Sequence, residues 1–416
     1  MRRLLFLLCI VVLSAPGVVL AWSLSDHREM SHLALVEVAP AWGLESECET
    51  HPLQSLIDKL RPLREELGDA WHFSAYLQLN PKIDLGAMAD TRKGLTPLEI
   101  LTIYSTDPDD GRDQDLFLRD EQGNPRYAYP DQKWFGAVKG SNSQAFRHIE
   151  KPPFNLFHPL SRMGLPFRHL GEATRRAEIY FQLSRLAFSL EEEYWGWRFL
   201  ASSFHYIEDL HQPYHAGQLT PVLLYKGLKA LSWGWKKKGL IGTFGVVVSN
   251  SHRFFESYVA LNSEVLEALK GTDIVPFSGS VETMARDVRD TSNRLLSDLT
   301  RAVSEIADPK LDGPYEYRSD EEGEDDPLKF LNKGPEFTEA NRKLFEIVQE
   351  RFGAAGRALR TATKIMIDLR KENSATSPSE ILSRLDGLLA SSTSSSECCA
   401  AGSGLGPYPE ELPDVP

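Results

Sequence analysis

The chain has 416 residues, of which 59 are acidic and 46 basic, for a formal charge of −13 at neutral pH. That excess disfavours a surface built to hold nucleic acid, since phosphate backbones are bound by clustered lysine and arginine. Four cysteines are present; Cys9 lies in an N-terminal apolar run, and Cys48, Cys398 and Cys399 are too few and too unevenly placed for a disulfide framework.

In chain order, Met1 to Ala21 begins with Arg2 and Arg3, runs apolar from Leu4 to Leu13 and ends Val19-Leu20-Ala21. A short basic start, an apolar core and a small residue at the end form the pattern of a cleaved secretory signal, and the core is short for a membrane span. The expectation is a secreted or periplasmic protein whose mature chain starts at Trp22, its formal charge falling from −13 to −15 with the loss of Arg2 and Arg3. A tryptophan in that position carries a free amine and a carbonyl that together can chelate a metal, as no internal residue can.

Apolar periodicity favours helices and strand signals are scarce, which predicts an all-α fold. Helices are expected over 26–39, 53–67, 171–188, 191–210, 252–269, 281–306, 336–369 and 378–389. Residues 22–310 read as one catalytic helical domain with an insertion at 219–248. An acidic linker or loop follows at 311–335, then C-terminal helices at 336–390 packing on the catalytic domain, and a Ser, Gly and Pro rich disordered tail at 391–416. The acidic run Ser319 to Asp326 lacks the ligand pattern of a calcium loop.

The densest chemistry lies in H-Y-I-E-D-L-H-Q-P-Y-H, where His205, Asp209 and His215 stand at i, i+4 and i+10. The i, i+4 pair shares one helix face. Pro213 stops that helix, so His215 is presented from the turn that follows. A helix end that happens to carry one histidine is commonplace, but three correctly typed ligands in eleven residues point to a metal. His252 and Glu256 repeat the i, i+4 arrangement further along. Borderline ions such as zinc take imidazole nitrogen and carboxylate oxygen, and catalytic sites keep one position for water.

Taken in order, Trp22 after a signal, an early histidine, an aspartate upstream of a lone histidine, H-x3-D-x5-H and then H-x3-E resemble the zinc-dependent phospholipase C family, whose scaffold also serves secreted single-strand nucleases. The resemblance spans roughly Trp22 to Glu256. It implies an all-helical domain holding three zinc ions at the bottom of a cleft. Asp209 would bridge two of them. His205 and His148, with an upstream aspartate, would complete one ion; His215, His252 and Glu256 would hold the second; Trp22 and the early histidine would hold the third with Asp209.

The early histidine is His27, at the spacing the nucleases use, or His32 in Ser31-His32-Leu33, which looks more like the phospholipases; His27 is preferred. The aspartate is read first as Asp107, in Ile103-Tyr104-Ser105-Thr106-Asp107, with Asp90, Asp109, Asp110 and Asp113 open. His51, His72, His158 and His169 read as structural or surface residues, and His211 as lying behind the ligands or facing substrate.

The chemistry expected of such a cluster is phosphodiester hydrolysis: zinc lowers the pKa of a coordinated water toward about 7 while its charge neutralises phosphate oxygens. Asp107 is the first candidate for a general base. The segment from Leu223 to Val248 adds Trp233, Trp235, Lys236, Lys237 and Lys238, the combination of segments that lie at a lipid interface; a buried hairpin or an added pair of core helices is the plain alternative. The leading expectation is a monomeric secreted phospholipase C that releases diacylglycerol and a phosphorylated head group. A single-strand nuclease, or a membrane-associated metal-binding module without catalysis, stands behind it.

Overall fold

The computed structural model describes residues 24–52, 55–56, 58–60, 62–63, 94–109, 147–152, 170–217, 220–232, 239–277, 279–307, 338–371, 376–385 and 387–388. The signal segment, the acidic linker and the tail lie outside them. So do Trp22, Asp90, Asp110, Asp113, His72, His158, His169, Trp233, Trp235 and Lys236 to Lys238.

The described chain is mostly helical, as the periodicity predicts. Its helices are α1 (Leu24–Leu35), α2 (Ala39–Trp42), α3 (Pro97–Tyr104), α4 (Ala173–Ser189), α5 (Glu193–His211), α6 (Pro213–Ala216), α7 (Pro221–Ser232), α8 (Gly239–Leu261), α9 (Val281–Ile306) and α10 (Thr338–Lys371), with a 3-10 turn at Ser263–Leu269. Strands β1 (Glu150–Lys151) and β2 (Leu170–Gly171) form one antiparallel pair, Glu150 opposite Gly171. Gly171 is obligatory there: its φ is +88° and an added Cβ would lie 1.9 Å from the Ile149 carbonyl oxygen.

Helices α4 and α5 make the central hairpin. Its close approach comes from small residues: a Cβ on Gly196 would meet the Phe188 ring at 2.6 Å. The hydroxyls of Ser184 and Ser203 donate across the pair to the carbonyls of Gly196 and Ala177, each at 2.7 Å. Trp195, Trp197, Phe204 and Tyr206 are buried on this hairpin, and full burial of a large apolar side chain contributes roughly 1.5–3 kcal/mol. A second apolar cluster gathers Phe254, Phe255, Leu299 and Phe352 from α8, α9 and α10.

Helix α10 runs 34 residues and packs against α9, the 3-10 turn and α1. Arg360 on α10 secures that junction, donating to the carbonyls of Ala34 (3.1 Å) and Leu269 (2.6 Å) and to Asp273 Oδ1 (2.8 Å).

Element boundaries depart from expectation in three places. The helix expected over 26–39 ends at Leu35, and after a turn α2 restarts with Pro40 in its first turn. The helix expected over 252–269 starts earlier, at Gly239, and breaks at Asn262, whose side-chain amide donates to the Tyr258 carbonyl at 2.7 Å before the tighter 3-10 turn begins. Helix α3 was not expected. Its start is nonetheless written locally, since Thr96 accepts from the Glu99 amide while the Glu99 carboxylate accepts from the Thr96 amide, a capping box with Pro97 at the first position. Within the 219–248 insertion, the described residues form α7 and the start of α8. Among the described residues no helix is long and apolar enough to cross a membrane.

Candidate metal centre

Helix α5 presents Arg198, His205 and Asp209 at i, i+7 and i+11, a single stripe along one face. Gln212 takes an extended backbone before Pro213, and its side chain accepts from the Tyr214 amide. That stop and restart turn His215 back toward the stripe. The other residues come from α1 (His27), the turn after α3 (Asp109), the segment entering β1 (His148) and α8 (His252, Glu256).

Asp209 is fully buried, and its two oxygens face different partners. Oδ2 lies 2.8 Å from His148 Nδ1 and 3.3 Å from His205 Nε2. Oδ1 lies 3.4 Å from His215 Nδ1 and 3.8 Å from His27 Nε2. His215 continues outward, its Nε2 3.1 Å from His252 Nε2, which is itself 3.1 Å from Glu256 Oε1. Asp109 sits between the inner histidines, 3.6 Å from His27 and 3.7 Å from both His148 and His205.

Among the described residues, two groups of donors are close enough to hold a metal ion: His27, Asp109 and His205, and His148, His205 and Asp209. Protonation supports this use. Burial, then the charge of neighbouring groups, holds His27, His148 and His252 well below the usual imidazole range; burial also takes His215 down to about 4 despite the pull of Asp209. These rings are therefore neutral at neutral pH, the form that binds metals. For His205 the tautomer follows from geometry. Its Nδ1 lies 2.7 Å from the Ser105 carbonyl oxygen, which can only accept, so the lone pair is on Nε2, facing Asp209 and His148. The buried Nε2 atoms of His27 and His148 have no hydrogen-bond partner among the described residues. Imidazole lone pairs converging on carboxylates suit a divalent cation of the zinc type.

The turn after α3 corrects one expectation. Asp107 does not face the cluster: its Oδ2 accepts from Arg198 Nε at 2.9 Å. The Arg198 guanidinium lies over the Tyr104 ring at 3.9 Å and donates to the Tyr194 hydroxyl at 3.0 Å. Burial disfavours this guanidinium's charge, yet the Asp107 carboxylate together with Tyr194 and Tyr104 outweighs it and raises its pKa. Asp109, two residues on, reaches the histidines, because successive residues of a turn point to different sides. Of the two aspartates, Asp109 is the one that lies with His27 and His205 in a group able to hold a metal ion.

His27 and His32 separate for a similar reason. Five residues at 100° each place them about 140° apart on α1; His27 is buried in the cluster and His32 is exposed. His51 stands apart, with Nδ1 3.0 Å from Glu192. His211 is buried, its Nδ1 donating to the Ile207 carbonyl at 2.7 Å.

Glu208, Ser31 and Arg198 escaped the sequence reading. Glu208 sits inside the central motif, a charged residue on a helix that is otherwise buried at that level, and that burial conflict is the signal it offered. Against known proteins, no family model matches this chain and no curated protein matches it.

Proposed function

We propose that this chain is a zinc-dependent phosphodiesterase of the phospholipase C type, secreted or periplasmic, holding three zinc ions and releasing diacylglycerol from phospholipids. The observation that carries the reading is the division of Asp209, with Oδ2 toward His148 and His205 and Oδ1 toward His215 and His27. One carboxylate shared in this way is what a multi-metal hydrolase requires of its bridging ligand. His148, His205, Asp109 and Asp209 would hold one ion, and His215, His252 and Glu256 a second. His27 would hold the third with Asp209 and the amine of Trp22. When bound, zinc supplies an acidic water for attack and positive charge for the phosphate oxygens and leaving group.

The protein's own groups prepare that chemistry. Ser105 holds the His205 ring in one tautomer through its carbonyl. Burial keeps the other imidazoles neutral, and the Arg198–Asp107 pair anchors the turn that carries Asp109. Asp109, with 5 % of its side chain exposed and 3.6 Å from His27 Nε2, would take the proton at the cluster in this reading.

A lipid substrate is favoured over a nucleic acid by charge and by surface. The chain is at −13, and Tyr225 and Leu228 stand 67 % and 48 % exposed at i, i+3 on α7, the helix leading into the Trp233 to Lys238 segment. Such a face, followed by tryptophans and lysines, suits the interface of a lipid bilayer.

Elemental analysis of the full mature chain, followed by assays on phosphatidylcholine vesicles and on single-stranded DNA, tests the reading. Near three zinc equivalents with diglyceride release is the expected result. Nucleotide release would move the assignment to the single-strand nuclease, and zinc without either product to a non-catalytic metal-binding module. Absence of metal after confirmed folding and zinc resupply would sink the proposal.

A further inference from the structure

Glu208 precedes Asp209 on α5, and its carboxylate engages α1 with both oxygens. Oε2 lies 2.6 Å from His27 Nδ1, and Oε1 accepts the Ser31 hydroxyl at 2.7 Å. All three side chains are sealed from solvent. His27 and Ser31 are four residues apart, one above the other on the inner face of α1, so a single carboxylate spans both. The His27 ring is also stacked on His205, centroids 4.0 Å apart and tilted by 30°. Its remaining nitrogen, Nε2, points at Asp109 Oδ2 (3.6 Å) and Asp209 Oδ1 (3.8 Å).

We propose that Glu208 is a positioning residue: it docks α1 on α5 and keeps the His27 proton on Nδ1, so that Nε2 offers its lone pair to a metal. This rests on reading His27 as a ligand. An imidazole that gives one nitrogen to a metal carries its proton on the other, and a buried carboxylate accepting that proton fixes the ring's tautomer and orientation while raising its basicity. Ser31 orients the carboxylate by donating to the oxygen His27 does not use. The arrangement joins a ligand near the start of the chain to the helix that carries Asp209, across 181 positions. Glu208 touches no substrate in this scheme, and its effect passes through His27 and the seating of α1.

The test is a chelator competition that resolves zinc affinities in the full mature chain and in the variants Glu208→Ala, Glu208→Gln and Ser31→Ala, each checked for helical content by circular dichroism. In Glu208→Ala one class of zinc should weaken by about 10- to 100-fold, the usual cost of losing a partner of a ligating histidine, while the other classes hold. Glu208→Gln should recover most of the loss, since its amide oxygen still accepts from Nδ1, and Ser31→Ala should show a smaller loss in the same class. Unchanged affinities in Glu208→Ala overturn the proposal. So does an equal loss across every class, or a glutamine variant no better than alanine. If Glu208→Ala does not fold, Ser31→Ala decides it: a loss confined to one class, with Glu208→Gln close to the parent, supports the proposal, and a uniform loss or none in Ser31→Ala overturns it. A parent chain that binds no zinc would instead overturn the metal reading itself, a distinct result.

Discussion

The two halves of the centre are built differently. The inner half, around His27, Asp109, His148 and His205, draws candidate ligands from four separate segments and seals them, with side-chain exposures of 0 to 5 %. The outer half, His215, His252 and Glu256, comes from α6 and one face of α8, and Glu256 keeps 17 % of its side chain exposed. Asp209 touches both. The difference teaches how each half depends on the fold: the outer half needs one helix to pack correctly, whereas the inner half needs the whole assembly of α1, α3, the β1 entry and α5.

The most damaging change to this arrangement is at the shared residue. Asp209→Asn should remove more than one zinc equivalent and lower turnover by more than about 100-fold, since both halves lose a charged ligand; equal metal content in variant and parent would contradict its bridging place. Single-sided changes should separate the halves. His252→Ala should cost about one equivalent from the outer group, and His148→Ala about one from the inner group, in a cobalt-substituted protein whose absorption bands report each site.

The two aspartates of the turn after α3 sharpen the contrast further. Asp109→Asn should weaken metal binding with little loss of stability. Asp107→Asn should destabilise the fold by about 3–5 kcal/mol, because it removes the carboxylate charge paired with the buried Arg198 guanidinium. A urea titration paired with metal analysis reads both, and a reversed pattern would return the ligand role to Asp107.

A smaller effect is expected from His211, buried on α5 near Arg351 of α10. Burial, with Arg351 nearby, pushes it down to about 3, against about 6.5 in an unfolded chain. Between those values the unfolded state binds more protons, so this residue's share of stability is full above about pH 6.5. It then falls with decreasing pH by up to about 1.4 kcal/mol per unit. The difference between parent and His211→Gln in urea midpoint should therefore shrink as pH drops from 7 to 5. Smallest of all is His32→Ala, outside both halves, expected to leave metal content unchanged and stability within about 0.5 kcal/mol.

Much of this was legible in the sequence wherever the relevant contact is local. His205 with Asp209, and His252 with Glu256, follow from helix periodicity alone, and Pro213 signals the stop that presents His215. Helix α9 has the predicted bounds, Val281 to Ile306, because Ser280 caps its start. Helix α3 carried a readable capping box that the apolar pattern obscured.

By itself, then, the sequence determined the helical class, the central His/Asp motif and the residue types of a cluster that could hold a metal, because these depend on spacing within a turn or two of helix. Only the tertiary structure decided that Asp109 and not Asp107 faces the histidines, and that Glu208 reaches α1. It likewise gave the inner place on α1 to His27. Each of these depends on contacts between residues roughly 40 to 180 positions apart, and on which side of a turn or helix meets another element. Neither is encoded in the spacing of any one segment.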